Sequence, residues 1–166
     1  MIIRPEKIND ADTITDLTIA AFKNVPVSRQ TEHFIIHALR KAGALSLSLV
    51  AEIDNRIVGH IAFSPVSITD GADGWYGLGP VSVWPNLQKQ GIGSALINNG
   101  LDELKARGAQ GCALVGDSNY YRRFGFKNLP QLIHEGIPPE VFLVLPFTDA
   151  APAGTVTFHA AFKAES

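Results

Sequence analysis

Gln88-Lys89-Gln90-Gly91-Ile92-Gly93-Ser94 is the stretch of this 166-residue chain whose residue types and spacing point most directly to chemistry. It stands between an apolar, strand-like run (Val81, Val83, Trp84, then Pro85) and a long helical pattern that begins near Ile92. A helix start leaves its first backbone N–H groups without intrahelical partners, and the helix dipole adds partial positive charge there. Such a turn suits an anion, with phosphate or pyrophosphate the best fit. Gly91 and Gly93 carry no Cβ, so a ligand can approach their backbone closely. Two phosphate motifs are excluded. No G-x-x-x-x-G-K-[ST] run exists, and Leu96 stands where a dinucleotide fingerprint needs its third glycine.

Other reactive side chains are scattered. Tyr120 and Tyr121, taken alone, are packing residues on a short helix. His33 and His37 share a helical face, a spacing that can bind zinc. Phe34 follows His33, so His-Glu-x-x-His is absent, and the pair reads as ordinary helix histidines. His60 falls in a strand and is expected to be buried and hydrogen-bonded, whereas His134 and His159 carry no signal. The single cysteine, Cys112, excludes an intramolecular disulfide and reads as an inert core thiol. Trp84 reads as packing, and Ser118 lacks the G-x-S-x-G context of a hydrolase nucleophile.

The elements that must position these residues follow from periodicity. Ile2–Pro5 reads as a strand, then a helix capped by Asn9 or Asp10 runs to Phe22, with Ile14, Leu17 and Ala21 at helical spacing. A second helix spans Gln30–Lys41 and stops at Gly43. From Leu45 the period becomes two, and Asp54-Asn55 turns this strand into a returning one over Arg56–Ser67. After a Gly/Asp loop come a strand over Trp75–Val83, the anion turn and a helix from Gly91 to about Arg107, its buried face marked by Ile97, Leu101 and Leu104. Gly111–Val115 reads as a buried central strand. A short helix over Asn119–Phe124, a strand starting at Phe126, a strand over Val141–Phe147 and an alternating terminal strand over Thr155–Phe162 complete the set.

The length fits one domain over residues 1–166, with 148–166 the least well placed part. An apolar share of 46% and a charged share of 18% describe a globular protein. A formal charge of −2 argues against a nucleic-acid surface. No run reaches the roughly 18 apolar residues of a membrane span, and no signal core opens the chain, so a cytoplasmic location is expected.

Gln88 through Gly93 resembles the acyl-CoA pyrophosphate loop of the GNAT N-acetyltransferase superfamily: Arg or Gln, two residues, Gly, one residue, then Gly or Ala. Leu78-Gly79-Pro80-Val81-Ser82-Val83-Trp84-Pro85 resembles that family's fourth strand and the turn after it. Gly116 through Phe126 matches a bacterial acetyltransferase subgroup with a Gly-Asp-x-x-Tyr-Tyr-x-Arg-Phe-Gly-Phe signature.

The resemblance implies an α+β fold: a mixed, mostly antiparallel sheet flanked by helices, with splayed parallel central strands. It implies acetyl-CoA as co-substrate, a small-molecule or peptide amine as acceptor and direct attack in a ternary complex. Val81, Ser82 and Val83 would meet the pantetheine arm, and Gln88, Lys89, Gln90, Gly91, Ile92, Gly93 and Ser94 the pyrophosphate. Tyr121 stands where the family's general acid stands, with Asn119 near the pantetheine amides and Arg122 near the phosphates, unless both are solvated surface groups. No metal is implied, and a homodimer is implied by family habit only. The general base is not assigned: no Asp or Glu lies between Gly74 and Pro85, leaving Asp73, Glu52 or a water route. The missing carboxylate also fits a second reading, a non-catalytic acyl-CoA-binding module on the same fold.

Overall fold

Period-two apolar runs fold the first half of the chain into an antiparallel meander. The computed structural model describes residues 1–166. Strands β1 (Ile2–Pro5), β2 (Leu47–Ile53), β3 (Arg56–Ile68) and β4 (Trp75–Val83) pair antiparallel in that order. Next comes β5 (Gly111–Val115), parallel to β4, and then β7 (Phe142–Pro146), antiparallel to β5. Asp54 and Asn55, both at positive φ, form the turn between β2 and β3, a conformation these side chains tolerate better than most.

Helix α1 (Ala11–Phe22) buries Ile14, Leu17 and Thr18, and α2 (Glu32–Lys41) buries Ile35, Ile36 and Leu39. Asp10 precedes α1 but does not cap it. Its carboxylate accepts instead from the Lys7 N–H at 2.6 Å and from the Arg4 guanidinium at 2.7 Å. On the other side of the sheet, α3 (Ile92–Ala106) buries Leu96, Ile97, Leu101 and Leu104 in one core with Ile61, Phe63 and Leu114. It lies close to β3 because Gly100 has no side chain; a Cβ there would collide with the Phe63 ring.

Two expected strands needed correction, and one short strand left no signal. Phe126 does not start a strand: its ring is buried, and only Lys127 makes a single bridge, to Val144. Pro130, which has no N–H to give, follows closely. The terminal strand β8 (Gly154–Phe158) ends earlier than its alternation implies, because residues 160–163 tighten into a helical turn. A two-residue strand, β6 (Leu132–Ile133), pairs with β8 and is too short to leave a periodic trace. Together, β6 and β8 bring residues 148–166 against the far end of β3, with Val66 opposite Phe158.

Candidate active site

A sheet can hold a ligand between two of its strands only where their ladder is broken. Between β4 and β5 the parallel ladder covers just Trp75–Gly111, Tyr76–Cys112 and Gly77–Ala113. Beyond Gly77 the strands part. The cause is visible in β4: Ile61 faces Val81 while Phe63 faces Leu78, so Gly79 and Pro80 stand where one residue would suffice. This bulge re-aims the strand, and Pro80 has no N–H to offer a neighbour.

After the bulge, backbone direction is fixed by alternation. Trp84 N–H donates to Val58 O at 3.2 Å, toward β3. Ser82, two residues earlier, therefore also addresses β3, and the N–H and C=O groups of Val81 and Val83 point into the wedge. The Ser82 side chain is buried on the sheet, its Oγ without a partner.

The anion turn closes one end of the wedge. Gln88 Nε2 donates to Val83 O at 3.0 Å and ties the turn to β4. Lys89 and Gly91 both adopt positive φ, 64° and 86°. For a lysine this costs on the order of 1 kcal/mol, and strain of this kind gathers at ligand-binding turns. The first backbone bond of α3 runs from Ala95 N–H to Gly91 O at 3.0 Å. The N–H groups before it are left facing outward. A cavity of about 630 Å³ lies over them, walled by Val81, Val83, Gln88, Lys89, Gly91 through Ser94, Tyr120, Tyr121 and Arg123.

Helix α4 (Ser118–Tyr121), which tightens into a last turn through Phe124, forms the opposite wall. Asp117 caps it, accepting from Asn119 N–H at 2.9 Å. Gly116 lets it approach: a Cβ there would lie 2.6 Å from the Tyr121 ring. The Gly-Asp of the signature thus holds Tyr121 in place from two directions. A Gly116→Ala variant should therefore keep its affinity for a phosphate-bearing ligand at the turn but lose turnover by about tenfold or more, since small misplacements of a reacting group are costly. Calorimetric titration set beside steady-state rates would read both.

Tyr121 packs edge-on to Tyr120 at 5.0 Å and to Phe126 at 6.1 Å. Burial, reinforced by Tyr120, pushes its phenol up to about 12. Tyr120, expected only to pack, reaches the turn: its hydroxyl lies 3.4 Å from Ser94 Oγ. Arg123 donates to Tyr120 O at 2.8 Å, and its guanidinium sits 4.4 Å from the Tyr120 ring centroid. Asn119, Arg122 and Gln90 lie outside the cavity wall. Spacing alone offers two flanks of α4 beside Tyr121, one with Asn119 and Arg122, the other with Tyr120 and Arg123. The fold turns the second flank to the turn.

Tyr121 and Val81 also line a second cavity of about 740 Å³ on the far side of the wedge. Phe22 and Ile35 bring α1 and α2 to it, and His134, Phe158, His159 and Phe162 bring the C-terminal third. Phe158 packs on Gly77 where β4 and β5 part; a Cβ there would lie 2.8 Å from its ring. Neither His33 nor His37 lines this cavity, and His37 Nε2 lies 2.8 Å from Thr15 Oγ1. Glu52 is held by Arg4 at 2.8 Å beside a separate groove, which Trp84 also lines. Asp73 does not line the second cavity either. Cys112 is fully buried, and burial raises its thiol far above the ordinary value, which leaves it inert. No helix is long and apolar enough to cross a membrane.

Residues 44–128 match the family model described as an acetyltransferase (GNAT) domain. YhbS of Escherichia coli (strain K12), itself an uncharacterized N-acetyltransferase, is 35% identical over 128 residues, 76% of this chain and 74% of its own length. The chain belongs to the GNAT acetyltransferase family. A GNAT family acetyltransferase from Brucella melitensis, solved in complex with acetyl-CoA, is 51% identical with a TM-score of 0.88 over 98% of this chain and 97% of its own. The YhbS structure, solved with CoA, is 32% identical with a TM-score of 0.88, covering 97% of this chain and 91% of that one. The GNAT fold accordingly accounts for the α+β architecture and the mostly antiparallel sheet.

Proposed function

We propose that this GNAT chain is an acetyl-CoA-dependent N-acetyltransferase that acylates a small amine by direct attack, with both substrates bound together. One observation carries the reading: Val81 and Tyr121 are common walls of the cavity over the anion turn and of the larger cavity behind the wedge. Two substrates seated in the two cavities meet there, and such proximity supplies much of an acyl transfer's acceleration. The cofactor named in the Brucella melitensis and YhbS structures supports assigning the smaller cavity to acetyl-CoA.

The free N–H groups of Gly91 through Ser94 fit a pyrophosphate, with Lys89, Arg123 and the Tyr120 hydroxyl beside them. The wedge-facing groups of Val81 and the Val83 N–H fit the amides of a pantetheine arm. When bound, acetyl-CoA supplies the acetyl group through its thioester. Tyr121 donates its phenolic proton to the departing sulfur.

The lining of the larger cavity supports one class of acceptor. Its volume suits a small-molecule ligand. Phe22, Phe158 and Phe162 give it an aromatic lining, and Glu32 and Glu135 set two carboxylates against one cation, Lys163. An apolar body with a single amine fits this wall. A polyamine or aminoglycoside would bury further charges against aromatic rings without partners, which is costly. Thiol release from acetyl-CoA across an amine panel tests both parts. Arylalkyl and long alkyl monoamines should exceed spermidine and aminoglycosides in kcat/KM by about tenfold or more. The reverse order would contradict the acceptor class; no turnover with any amine would contradict the enzyme.

A further inference from the structure

His134 follows β6, and its Nδ1 lies 2.9 Å from Val156 O. A carbonyl oxygen only accepts, so Nδ1 carries the proton. In the neutral ring Nε2 is then left with a lone pair. The ring is fixed by its neighbours, edge-on to Phe158 at 4.9 Å and tilted against Phe142 at 5.6 Å. His134 lines the larger cavity together with Tyr121.

His159 lines the same cavity with the opposite tautomer. Its Nδ1 accepts from Ala161 N–H at 3.0 Å, so its neutral ring carries the proton on Nε2. Of the two histidines, only His134 offers a basic lone pair. The carboxylates are less suited: Glu135 of the same cavity is solvent-exposed, and Glu52 does not line it. Glu32 accepts from Ser28 Oγ through both oxygens, at 2.7 and 2.8 Å, and Glu52 is committed to Arg4. A base whose second nitrogen is oriented by a backbone carbonyl has the arrangement that general-base catalysis requires.

We infer that His134 Nε2 is the general base of acetyl transfer, an assignment that rests on the N-acetyltransferase reading above. The amine nitrogen forms a bond to the acetyl carbonyl carbon while the carbon–sulfur bond breaks. The proton lost by nitrogen passes to His134 Nε2, and sulfur takes the Tyr121 phenolic proton. The imidazolium then releases its proton to solvent and the phenolate regains one, so the balance is amine plus thioester to amide plus thiol.

Two measurements test it. Nitrogen-15 NMR of the ligand-free protein should show neutral His134 protonated at Nδ1 and His159 at Nε2. In steady state, His134→Asn keeps a donor for Val156 O and should lose about 10²-fold or more in kcat. With an acceptor amine of pKa below about 5, whose own ionisation lies outside the window, the acid limb of the kcat/KM profile should vanish with it. The other titratable groups of the cavity are Glu32 from α2, Tyr121 from α4, the adjacent Glu135, and His159 and Lys163 from the C-terminal turn. His159→Asn should therefore retain the acid limb whatever its effect on rate. An Nε2-protonated His134, a persisting acid limb in His134→Asn or its loss in His159→Asn overturns the assignment. Failure of the wild type to acetylate any amine instead overturns the enzyme reading, and this inference falls with it.

Discussion

Replacing Tyr121 by phenylalanine should lower kcat by about 10²-fold or more and leave the affinity for acetyl-CoA nearly unchanged. Phenylalanine keeps the ring that packs against Phe126, Tyr120 and the backbone of Gly116. It removes only the hydroxyl, so the variant should fold as the wild type does. The proton is available when needed: burial pushes the phenol up to about 12, above the value near 10 at which an exposed tyrosine ionises. The free phenol is consequently a weak acid, and the charge building on sulfur beside it is what draws the proton across. Two results follow for steady-state kinetics. The phenylalanine variant shows its loss in kcat with little change in the KM for acetyl-CoA, and the wild type shows no loss of kcat near pH 10 from ionisation of this group. An unchanged kcat in Tyr121→Phe would remove Tyr121 from the chemistry.

Acid should destabilise the fold through His60 well above the pH at which ordinary carboxylates titrate. His60 is fully buried on β3, its Nε2 2.8 Å from Ser48 Oγ. Ser48 Oγ donates its one proton to Glu6, whose carboxylate is paired with Arg40 at 3.0 Å, and so accepts from His60. His60 Nε2 lies 3.9 Å from Glu6 Oε1, a contact that is ionic only when the ring is protonated. Burial outweighs the Glu6 charge and lowers the His60 pKa from 6.5 to about 4. The unfolded chain therefore binds a proton near pH 6.5 that the folded chain refuses until about pH 4. Stability is fully present above that window and is lost as pH falls through it, by up to about 3 kcal/mol at roughly 1.4 kcal/mol per pK unit. The Glu6 carboxyl, held below its ordinary value mainly by the Arg40 hydrogen bond against the penalty of burial, adds a further loss at lower pH. Urea unfolding midpoints between pH 7 and pH 4 should trace this decline, and His60→Gln should flatten it. A midpoint independent of pH across that interval would show that His60 is not held neutral.

The sequence was most legible where one element carried its own signal. Gly91, Gly93 and the apolar face of α3 announced a helix start with free N–H groups, and the helix and turn stand there. The meander of β1 to β4 was readable from local signals, the period-two apolar runs and the Asp54-Asn55 turn, although β2 and β3 are buried on both faces. What lay beyond reading was contact between distant segments. Tyr120 and Arg123 could not be preferred over Asn119 and Arg122 until α4 was set against the turn. His134 carried no message because its partner, Val156, is 22 residues away on β8, a strand held by β3 and the two-residue β6. The larger cavity is assembled from α1, α2, β4 and the C-terminal third. No local pattern encodes such a wall.

The most direct test of the central claim is a mass balance on one mixture. The protein is incubated with acetyl-CoA and an arylalkylamine, and free thiol, N-acetylamine and intact protein mass are measured together. Equal amounts of thiol and amide are expected, formed only when both substrates are present, with no acetyl group on the protein. Binding of acetyl-CoA without amide formation, for this amine and every other tried, would contradict it and leave a chain that holds an acyl-CoA without using it.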